Sequence, residues 1–448
     1  MNPTIFREYD IRGRVPDDLN EATVFELGLS IGTYYQNHGA EKITLGRDCR
    51  LSSPSLRDCL LKGLIESGMH VIDIGMVPTP LLYFSLFQLD VHGGIQITGS
   101  HNPPEFNGFK VCLNKTTIFG GEIQEIRKIA ESGQLTRGRG KVEEKDVTIP
   151  YVENILKGIR RGPVQKKVVV DAGNGVGGLV APQLYERMGV EVVRLFCEPD
   201  GRFPHHHPDP TIPEYLSHLI EKLSETKADL GIAFDGDADR IGVVSDQGKI
   251  IWGDQLMIVF SRELLKTHPG AKIIGEVKCS QVLYDDIASH GGKGIMWKVG
   301  HSLIKGKMKE EGALFAGEMS GHLFFADRYF GFDDAIYAGA RLLEILALDK
   351  RKMADLLADV PVLVNTPEIR LDCPDEKKFE VVSRLAAEFK KEYQVIDVDG
   401  ARVLFDGGWG LIRSSNTQPV LVLRFEAKDH QKLEEIRRIF MEKLDKVM

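Results

Sequence analysis

The chain has 448 residues, of which 42% are hydrophobic, and a formal net charge of −8. A chain of this length has room for roughly three domains, with a core that needs no disulfide to fold. Its six cysteines are scattered and form no C-x-x-C pair, which is typical of a reduced, cytoplasmic protein. The net negative charge argues against nucleic acid or an acidic membrane surface as the main partner.

The hydrophobic pattern predicts neither a signal peptide nor a membrane span. The opening residues MNPTIFREYDIRG contain no apolar run of the signal-peptide type. No apolar run reaches the about 18 residues that a transmembrane helix requires. We therefore expect a cytoplasmic protein.

One pattern occurs three times: a short apolar run, an amphipathic stretch that ends at glycine, and a second apolar run. The amphipathic stretches lie at 55–68, 179–189 and 281–291. Continuous apolar runs are typical of buried parallel strands, and glycine commonly ends a helix. Because the copies recur at intervals of roughly 100 to 125 residues, we predict three related mixed α/β domains.

The last 80 or so residues differ from this pattern. Asp399-Gly400 separates two apolar runs and predicts a β-hairpin. Charged helices are predicted at about 376–391 and 429–446, which gives a smaller α+β domain with an antiparallel sheet. The polar stretch from Gly133 to Asp146 is interpreted as a surface connection. The predicted domains are 1–150, 151–255, 256–368 and 369–448.

Residues 98–104, TGSHNPP, follow an apolar run at 95–97. Gly99 and the two prolines prevent regular structure from continuing. Ser100 is therefore predicted to lie at the end of a strand with its hydroxyl exposed. Serine alone is a poor nucleophile, and no G-x-S-x-G pattern surrounds it, so the segment taken alone also fits a plain turn.

Residues 173–178, GNGVGG, fit the G-x-G-x-x-G pattern of dinucleotide sites. We favour no such site, because the motif lies in the middle of the chain and explains none of the other polar segments. His205, His206 and His207 could bind Zn²⁺, but the prolines around them favour a structured loop.

Residues 235–240, DGDADR, follow the apolar run 230–234. Alternate residues project to the same side of an extended chain, so Asp235, Asp237 and Asp239 can converge on one cation. Three carboxylates without His or Cys favour Mg²⁺, and the spacing does not fit an EF-hand. Arg240 could offset the repulsion between these carboxylates or contact a phosphate. The alternative is an acidic surface turn.

Two later segments carry groups suited to sugars and phosphates. Residues 317–322, GEMSGH, place Glu318, Ser320 and His322 between glycines, and these groups can bind vicinal hydroxyls. Residues 413–419, RSSNTQP, combine an arginine with hydroxyl and amide donors that can surround phosphate oxygens. A polar loop is the alternative for both.

In their order along the chain, these segments resemble the α-D-phosphohexomutase family, and in particular its bacterial phosphomannomutase/phosphoglucomutase branch. The resemblance covers essentially the whole chain and includes YDIRG at 9–13. It implies a four-domain architecture around a central cleft, with three related mixed α/β domains and a C-terminal α+β domain.

The resemblance also implies roles for individual residues. Ser100 would be the phosphorylated serine, and it would bind Mg²⁺ together with Asp235, Asp237 and Asp239. Glu318 and Ser320, with His322 in the same loop, would contact sugar hydroxyls. The non-reacting phosphate would be held by Arg413, Ser415, Asn416 and Thr417. The other positions that match the family's cleft are Tyr9, Arg12, His101, Lys110, Lys278 and His301.

The implied reaction interconverts hexose 1-phosphate and hexose 6-phosphate, of mannose and of glucose, through a phosphoserine and a hexose 1,6-bisphosphate. Met319 favours this branch, because glucose-specific members tend to carry an acidic residue there and glucosamine-phosphate mutases a glutamine. Cations such as Arg240 would stabilise charge on the moving group, and Lys110, His101 and His301 are all candidates for the base. The alternatives are a phosphoglucosamine mutase, a serine- and metal-dependent sugar phosphatase, or a sugar-phosphate-binding relic. We expect a monomer.

Overall fold

The structure is a computed structural model, and it describes residues 1–415 and 419–448. Its strands are β1 (Ile11–Arg14), β2 (Lys42–Arg47), β3 (His70–Met76), β4 (Gly93–Ile97), β5 (Phe106–Leu113), β6 (Thr116–Thr117), β7 (Lys141–Glu144), β8 (Lys167–Asp171), β9 (Glu191–Leu195), β10 (Leu230–Phe234), β11 (Ile241–Ser245), β12 (Ile250–Ile251), β13 (Lys272–Glu276), β14 (Lys293–Trp297), β15 (Phe315–Gly317), β16 (Leu323–Phe325), β17 (Val364–Asn365), β18 (Ile369–Asp372), β19 (Gln394–Ile396), β20 (Ala401–Phe405), β21 (Gly408–Ser414) and β22 (Val420–Ala427).

The helices alternate with these strands through most of the chain. They are α1 (Glu21–Asn37), α2 (Ser53–Ser67), α3 (Thr79–Gln88), α4 (Gly121–Ser132), α5 (Thr148–Gly158), α6 (Ala181–Arg187), α7 (Ser217–Thr226), α8 (Gly253–Thr267), α9 (Gln281–Ser289), α10 (His301–Glu311), α11 (Ala335–Leu348), α12 (Met353–Leu356), α13 (Asp375–Phe389) and α14 (His430–Leu444). Short 3₁₀ helices lie at Pro3–Ile5, Val176–Leu179 and Pro213–Leu216. No helix of the described residues combines the length and apolarity needed to cross a membrane.

The three predicted α/β repeats form three sheets with a common scheme. The first sheet runs β1-β5-β4-β2-β3-β7, the second β12-β11-β10-β8-β9, and the third β14-β13-β15-β16. In each sheet a parallel core ends where one strand pairs with an antiparallel neighbour, namely β4 with β5, β10 with β11, and β15 with β16. The strand-helix-strand repeats in the sequence therefore correspond to real structural repeats.

The chemically distinctive loops occupy the same place in each of the three sheets. The loop that carries Ser100 joins β4 to β5, the acidic loop 235–240 joins β10 to β11, and the loop 318–322 joins β15 to β16. Each loop thus leaves the carboxyl end of a parallel strand, the edge at which α/β sheets bind ligands. The shared topology explains how residues far apart in the sequence meet at one site.

The fourth sheet is antiparallel throughout, in the order β17-β22-β21-β20-β19, with β18 also paired to β22. The predicted hairpin at Asp399-Gly400 joins β19 to β20. The sequence pattern does not predict β21, which extends to Ser414. It also assigns no strand to 133–146, where β7 lies exposed at the edge of the first sheet.

One hydrophobic cluster spans the first three domains, the first domain has a second cluster between α1, α2, α4 and its sheet, and the fourth domain has its own. Side chains from α3, α5, α6, α8 and α11 pack in one continuous cluster with the second and third sheets. The core of the fourth domain lies between its sheet and helices α13 and α14. A small cluster in which Trp409 and Leu411 pack on Val277 joins it to the third domain.

The G-x-G-x-x-G segment packs against the acidic loop. The Val176 amide donates to the carbonyl of Gly236 over 3.1 Å. A Cβ added at Gly175 would lie 2.7 Å from that carbonyl oxygen, and one added at Gly177 would lie 3.1 Å from the Cβ of Ala238. Gly175 therefore permits close contact between two backbones of the second domain, and Gly177 leaves room for the side chain of Ala238.

We expect Gly175→Ala to lower the free energy of unfolding by about 1–3 kcal/mol, because the new methyl group meets backbone that must shift. Gly306→Ala is the matched control, since Gly306 lies inside α10, where an added Cβ would meet no atom within 4 Å other than the backbone of its own helix. This control should gain about 0.5–1 kcal/mol from helix propensity. Urea unfolding of both variants tests the packing, and equal stability of the two would contradict it.

Candidate active site

Ser100 lies three residues beyond β4, with a left-handed backbone (φ 47°) and only 3% of its surface exposed. The prediction of an exposed hydroxyl is therefore wrong, because the acidic loop of the second domain covers it. The hydroxyl Oγ donates to Oδ2 of Asp235 over 2.7 Å and lies 3.1 Å from Nδ1 of His101. The two loops predicted to act together are thus in direct contact.

Arg50 holds the Ser100 loop in shape, although the sequence analysis does not identify it. Its buried guanidinium donates to the carbonyls of Ser100 (2.8 Å), Asn102 (2.5 Å), Pro103 (2.7 Å) and Phe106 (2.9 Å). The signal in the sequence is the charged run Arg47-Asp48-Cys49-Arg50 at the end of β2. β2 pairs in parallel with β4, so the two strand ends lie side by side at one sheet edge.

The three aspartates of the acidic loop are fully buried and face one another. Oxygen atoms of Asp235, Asp237 and Asp239 all lie within 4.8 Å of each other. Oδ1 of Asp237 and Oδ1 of Asp239 are buried and have no hydrogen-bond partner among the described residues. Unsatisfied carboxylate oxygens in a closely spaced set are suited to a hard divalent cation. The loop therefore fits a metal site.

Lys110, on β5, provides the positive charge nearest to these carboxylates. Its Nζ donates to Oδ2 of Asp237 over 2.9 Å and also to Oδ2 of Asp239. Burial alone would lower the pKa of Lys110, but the two carboxylates raise it above its ordinary value. Lys110 is thus held as a cation.

The pKa values of the carboxylates and of the imidazole next to Ser100 are shifted in different directions. Burial and the neighbouring Asp239 and Asp237 raise the pKa of Asp235 well above its usual range. Burial opposes ionisation of Asp237 as well, but Lys110 and a hydrogen bond from Thr79 lower its pKa. Burial, together with nearby arginines, lowers the pKa of His101, so that this imidazole is neutral.

A second polar group lies beside the acidic loop and is built from the third domain. Nε of Arg240 donates to Nε2 of His322 over 2.9 Å, and the His301 ring stacks on His322 with 5.5 Å between centroids. Nδ1 of His322 lies 3.2 Å from Oδ2 of Asp333. Asp333 and its partner Lys305, at 2.9 Å, are further residues that the sequence analysis does not identify.

The remaining predicted residues surround this centre. The Tyr9 hydroxyl donates to the Val299 carbonyl over 3.0 Å, and Arg12 donates to Oδ1 of Asn102 over 2.8 Å. Glu318 accepts a hydrogen bond of 2.7 Å from the Gly300 amide, and Ser320 is half-buried in the turn that follows. Nζ of Lys278 lies 3.2 Å from a carboxylate oxygen of Glu368.

The predicted phosphate-binding segment begins at the end of β21. Arg413 is part of that strand rather than of a turn, and its Nε donates to Oδ2 of Asp399 over 3.0 Å. The same oxygen accepts from the Val299 amide of the third domain, also over 3.0 Å. The Ser415 amide donates to the carbonyl of Val420. Asn416 and Thr417 lie outside the described residues.

Comparison with known proteins identifies the family. Four family profiles match consecutive parts of the chain: phosphoglucomutase/phosphomannomutase alpha/beta/alpha domain I at residues 3–137, domain II at 150–248, domain III at 252–363, and the C-terminal domain at 368–443.

Individual proteins match over nearly the full length. The chain is 47% identical over 445 residues to a phosphomannomutase/phosphoglucomutase of Pseudomonas aeruginosa, covering 99% of this chain and 96% of that one. It is 46% identical over 442 residues to a phosphoglucomutase of Neisseria gonorrhoeae, with 97% and 95% covered. A crystal structure of a phosphoglucomutase/phosphomannomutase family protein from Burkholderia thailandensis superposes with a TM-score of 0.95 at 43% identity, covering 100% of this chain and 98% of that one. The chain therefore belongs to the phosphoglucomutase/phosphomannomutase family, the α-D-phosphohexomutases.

Proposed function

We propose that Ser100 carries the phosphoryl group that this hexose-phosphate mutase exchanges with its substrate. The observation that supports this role most directly is the contact of the Ser100 hydroxyl with Asp235, at 2.7 Å, within a set of three buried carboxylates. The substrates that we propose are the 1- and 6-phosphates of mannose and glucose, since the Pseudomonas aeruginosa relative is named for both activities.

Asp235, Asp237 and Asp239 would hold Mg²⁺ together with an oxygen of phosphorylated Ser100. When bound, the ion would supply positive charge to the oxygens of the phosphoryl group during transfer. Lys110 reaches two of the same carboxylates from β5 and holds them in place. Arg240, which follows the acidic loop directly, adds a second fixed positive charge.

The reaction consists of two phosphoryl transfers. In the first, a sugar hydroxyl attacks the phosphorus of phosphoserine 100, the bond to Oγ breaks, and the hydroxyl proton passes to a base. The product is a hexose 1,6-bisphosphate, which turns within the cleft. In the second, Oγ of Ser100 gives up its proton and attacks the phosphorus of the other phosphoryl group, the bond from that phosphorus to the sugar oxygen breaks, and the sugar oxygen takes up a proton. A supply of bisphosphate would therefore reactivate any enzyme that has lost its phosphoryl group.

The electrostatics favour histidine over lysine as the base. Nζ of Lys110 donates to Asp237 and Asp239, a geometry that suits holding these carboxylates rather than taking a proton from the sugar. His101 is a neutral imidazole 3.1 Å from Oγ and is placed to exchange the serine proton. His301 stacks on His322, whose Nε2 accepts from Arg240, so His301 is the ring of this pair that can exchange the proton of the sugar hydroxyl.

The substrate would be held at its non-reacting end by the fourth domain. Arg413 and Ser415, with Asn416 and Thr417 of the same segment, would bind the distal phosphate, and Arg413 could exchange its bond with Asp399 for one to that phosphate. Glu318, Ser320 and His322 would contact sugar hydroxyls, and Tyr9, Arg12 and Lys278 would line the cleft.

The limits of the family matches support the proposed domains 1–150, 151–255, 256–368 and 369–448.

Two alternative activities would use the same serine and metal site, and both can be tested together with the proposed mutase activity. A phosphoglucosamine mutase would prefer glucosamine 1-phosphate, and a sugar phosphatase would release inorganic phosphate. A side-by-side assay with mannose 1-phosphate, glucose 1-phosphate and glucosamine 1-phosphate separates the possible substrates.

We propose a cytoplasmic location, since all six cysteines are free thiols.

Ser100→Ala should lower kcat for hexose 1-phosphate by at least about 10³-fold, because the phosphoryl carrier is lost. Ser132→Ala, at an exposed position on α4, is the control and should retain wild-type kcat. Mass spectrometry of the purified wild-type chain should show one phosphoryl group that Ser100→Ala lacks. Near-normal turnover in Ser100→Ala would exclude the phosphoserine role, and release of inorganic phosphate in step with substrate loss would favour the phosphatase.

Asp237→Asn should raise the dissociation constant for Mg²⁺ by about tenfold or more, because it removes one charged ligand of the proposed set. Calorimetric titration with Mg²⁺ alone measures this without reference to turnover. Asp58→Asn is the control, since Asp58 is an exposed carboxylate whose ion pair among the described residues is with Arg57. An unchanged Mg²⁺ titration in Asp237→Asn would exclude the aspartate from the metal site.

A further inference from the structure

The backbone around Lys278 is bound by the fourth domain. Lys278 lies between β13 and α9, with 8% of its surface exposed. Nη1 of Arg402, on β20, donates to the carbonyls of Val277 and Cys279, both over 2.7 Å. The carbonyl of Lys278 itself accepts from Nη1 of Arg424, on β22. Three consecutive carbonyls of the third domain therefore accept hydrogen bonds from two arginines of the fourth.

The amides of the same segment are satisfied within the third domain. The Val277 amide donates to the carbonyl of Trp297 over 3.0 Å. The Lys278 amide donates to the side chain of Glu276 over 2.6 Å, and the Cys279 amide donates to the Glu276 carbonyl over 3.0 Å. Because buried backbone donors and acceptors both need partners, the path of this segment depends on the two arginines as well as on its own domain.

Arg402 is itself fixed for this contact. None of its surface is exposed, and its guanidinium carbon lies 3.8 Å from the ring centroid of Trp409. Nη2 donates to Oε1 of Gln281 over 3.2 Å. Glu426 accepts from the Trp409 indole over 2.7 Å and from the Gln281 amide over 3.1 Å. The groups around the guanidinium are therefore bound to one another.

Packing alone does not require an arginine at position 402. Burial lowers the pKa of Arg402, which reflects the free-energy cost of removing its charge from water. A methionine would cover the Trp409 ring without that cost. The guanidinium differs from methionine because it donates to two carbonyls at once, and those carbonyls flank Lys278.

We propose that Arg402 is a positioning residue that holds Lys278 in place for substrate binding. Its two hydrogen bonds fix the backbone before and after Lys278, and with it the direction in which the lysine side chain leaves the backbone. Because Arg402 and Arg413 lie on the paired strands β20 and β21, Lys278 and Arg413 are attached to the same sheet. The inference rests on the proposed function in giving Lys278 a role in the cleft, where its ammonium would bind the sugar phosphate.

Arg402→Met tests this role, because methionine keeps the contact with Trp409 and removes the donors. We expect the dissociation constant for 1-deoxyglucose 6-phosphate to rise by about 10- to 100-fold in calorimetric titration. This probe has no 1-hydroxyl, so it binds without accepting a phosphoryl group. With glucose 1-phosphate, KM should rise to a similar extent while kcat changes by less than about threefold. An unchanged dissociation constant would overturn the proposal.

A double-mutant cycle separates this role from a general contribution to folding. In the Lys278→Met background, Arg402→Met should raise the dissociation constant by less than about threefold further, because the group that it positions is gone. A further rise as large as in the wild-type background would show that Arg402 acts independently of Lys278 and would refute the proposal. Arg384→Met is the matched control, since Arg384 is exposed on α13 with Glu380 at 4.0 Å, and it should bind the probe like wild type.

Arg402→Lys is the second variant, for the case in which Arg402→Met does not fold. Lysine retains the charge and an ammonium that can reach a carbonyl, but not the planar set of donors. It should fold and raise the dissociation constant by about three- to tenfold, and wild-type affinity would contradict the proposal. The phosphoserine role is tested separately: full turnover in Ser100→Ala would exclude the proposed mechanism and leave this binding measurement unchanged.

Discussion

Three carboxylates that share one buried space repel one another, and the rest of the site is arranged around that constraint. Asp235, Asp237 and Asp239 are each fully removed from solvent. Lys110 and Thr79 satisfy two of their oxygens from the first domain, and the Ser100 hydroxyl satisfies a third. Two oxygens stay without a partner among the described residues. A bound divalent cation would offset the free-energy cost of burying these two unpaired oxygens, so the acidic loop is suited to bind a metal.

The fold makes this crowding possible because it repeats one junction three times. In each of the first three sheets, a parallel strand passes its chain through a short loop into an antiparallel neighbour. The three loops bring a hydroxyl, a set of carboxylates, and a carboxylate with an imidazole to one place. The Arg50 side chain then binds the backbone of the Ser100 loop, and Gly175 lets its segment pack on the backbone of the acidic loop. The fourth domain has its own core and is joined to the third domain where Trp409 and Leu411 pack on Val277.

The sequence predicts local structure well wherever the pattern is local. The apolar run 230–234 is β10, the stretch 281–291 contains α9, and Asp399-Gly400 lies in a hairpin. β21 is not predicted, because glycines at 408 and 410 interrupt its apolar alternation. The burial of Ser100 could not be predicted either, since it depends on a loop 135 positions further along the chain.

Arg50, Lys305 and Asp333 were missed for the same physical reason. The charge of each residue is visible in the sequence, but its importance arises from partners in other elements. The motif residues were found because several of them act from one loop and leave a dense local pattern. A positioning residue leaves no such pattern, and its contacts become visible only in the folded chain.

In the mechanism that we propose, one serine oxygen accepts and returns the phosphoryl group. Single-turnover transfer tests it most directly: the enzyme is labelled with ³²P at its phosphorylated residue and mixed with one equivalent of unlabelled mannose 1-phosphate and Mg²⁺. We predict that the label leaves the protein and is recovered in hexose bisphosphate and hexose monophosphate. Label that stays on the protein while substrate is converted, or that leaves only as inorganic phosphate, would contradict the account.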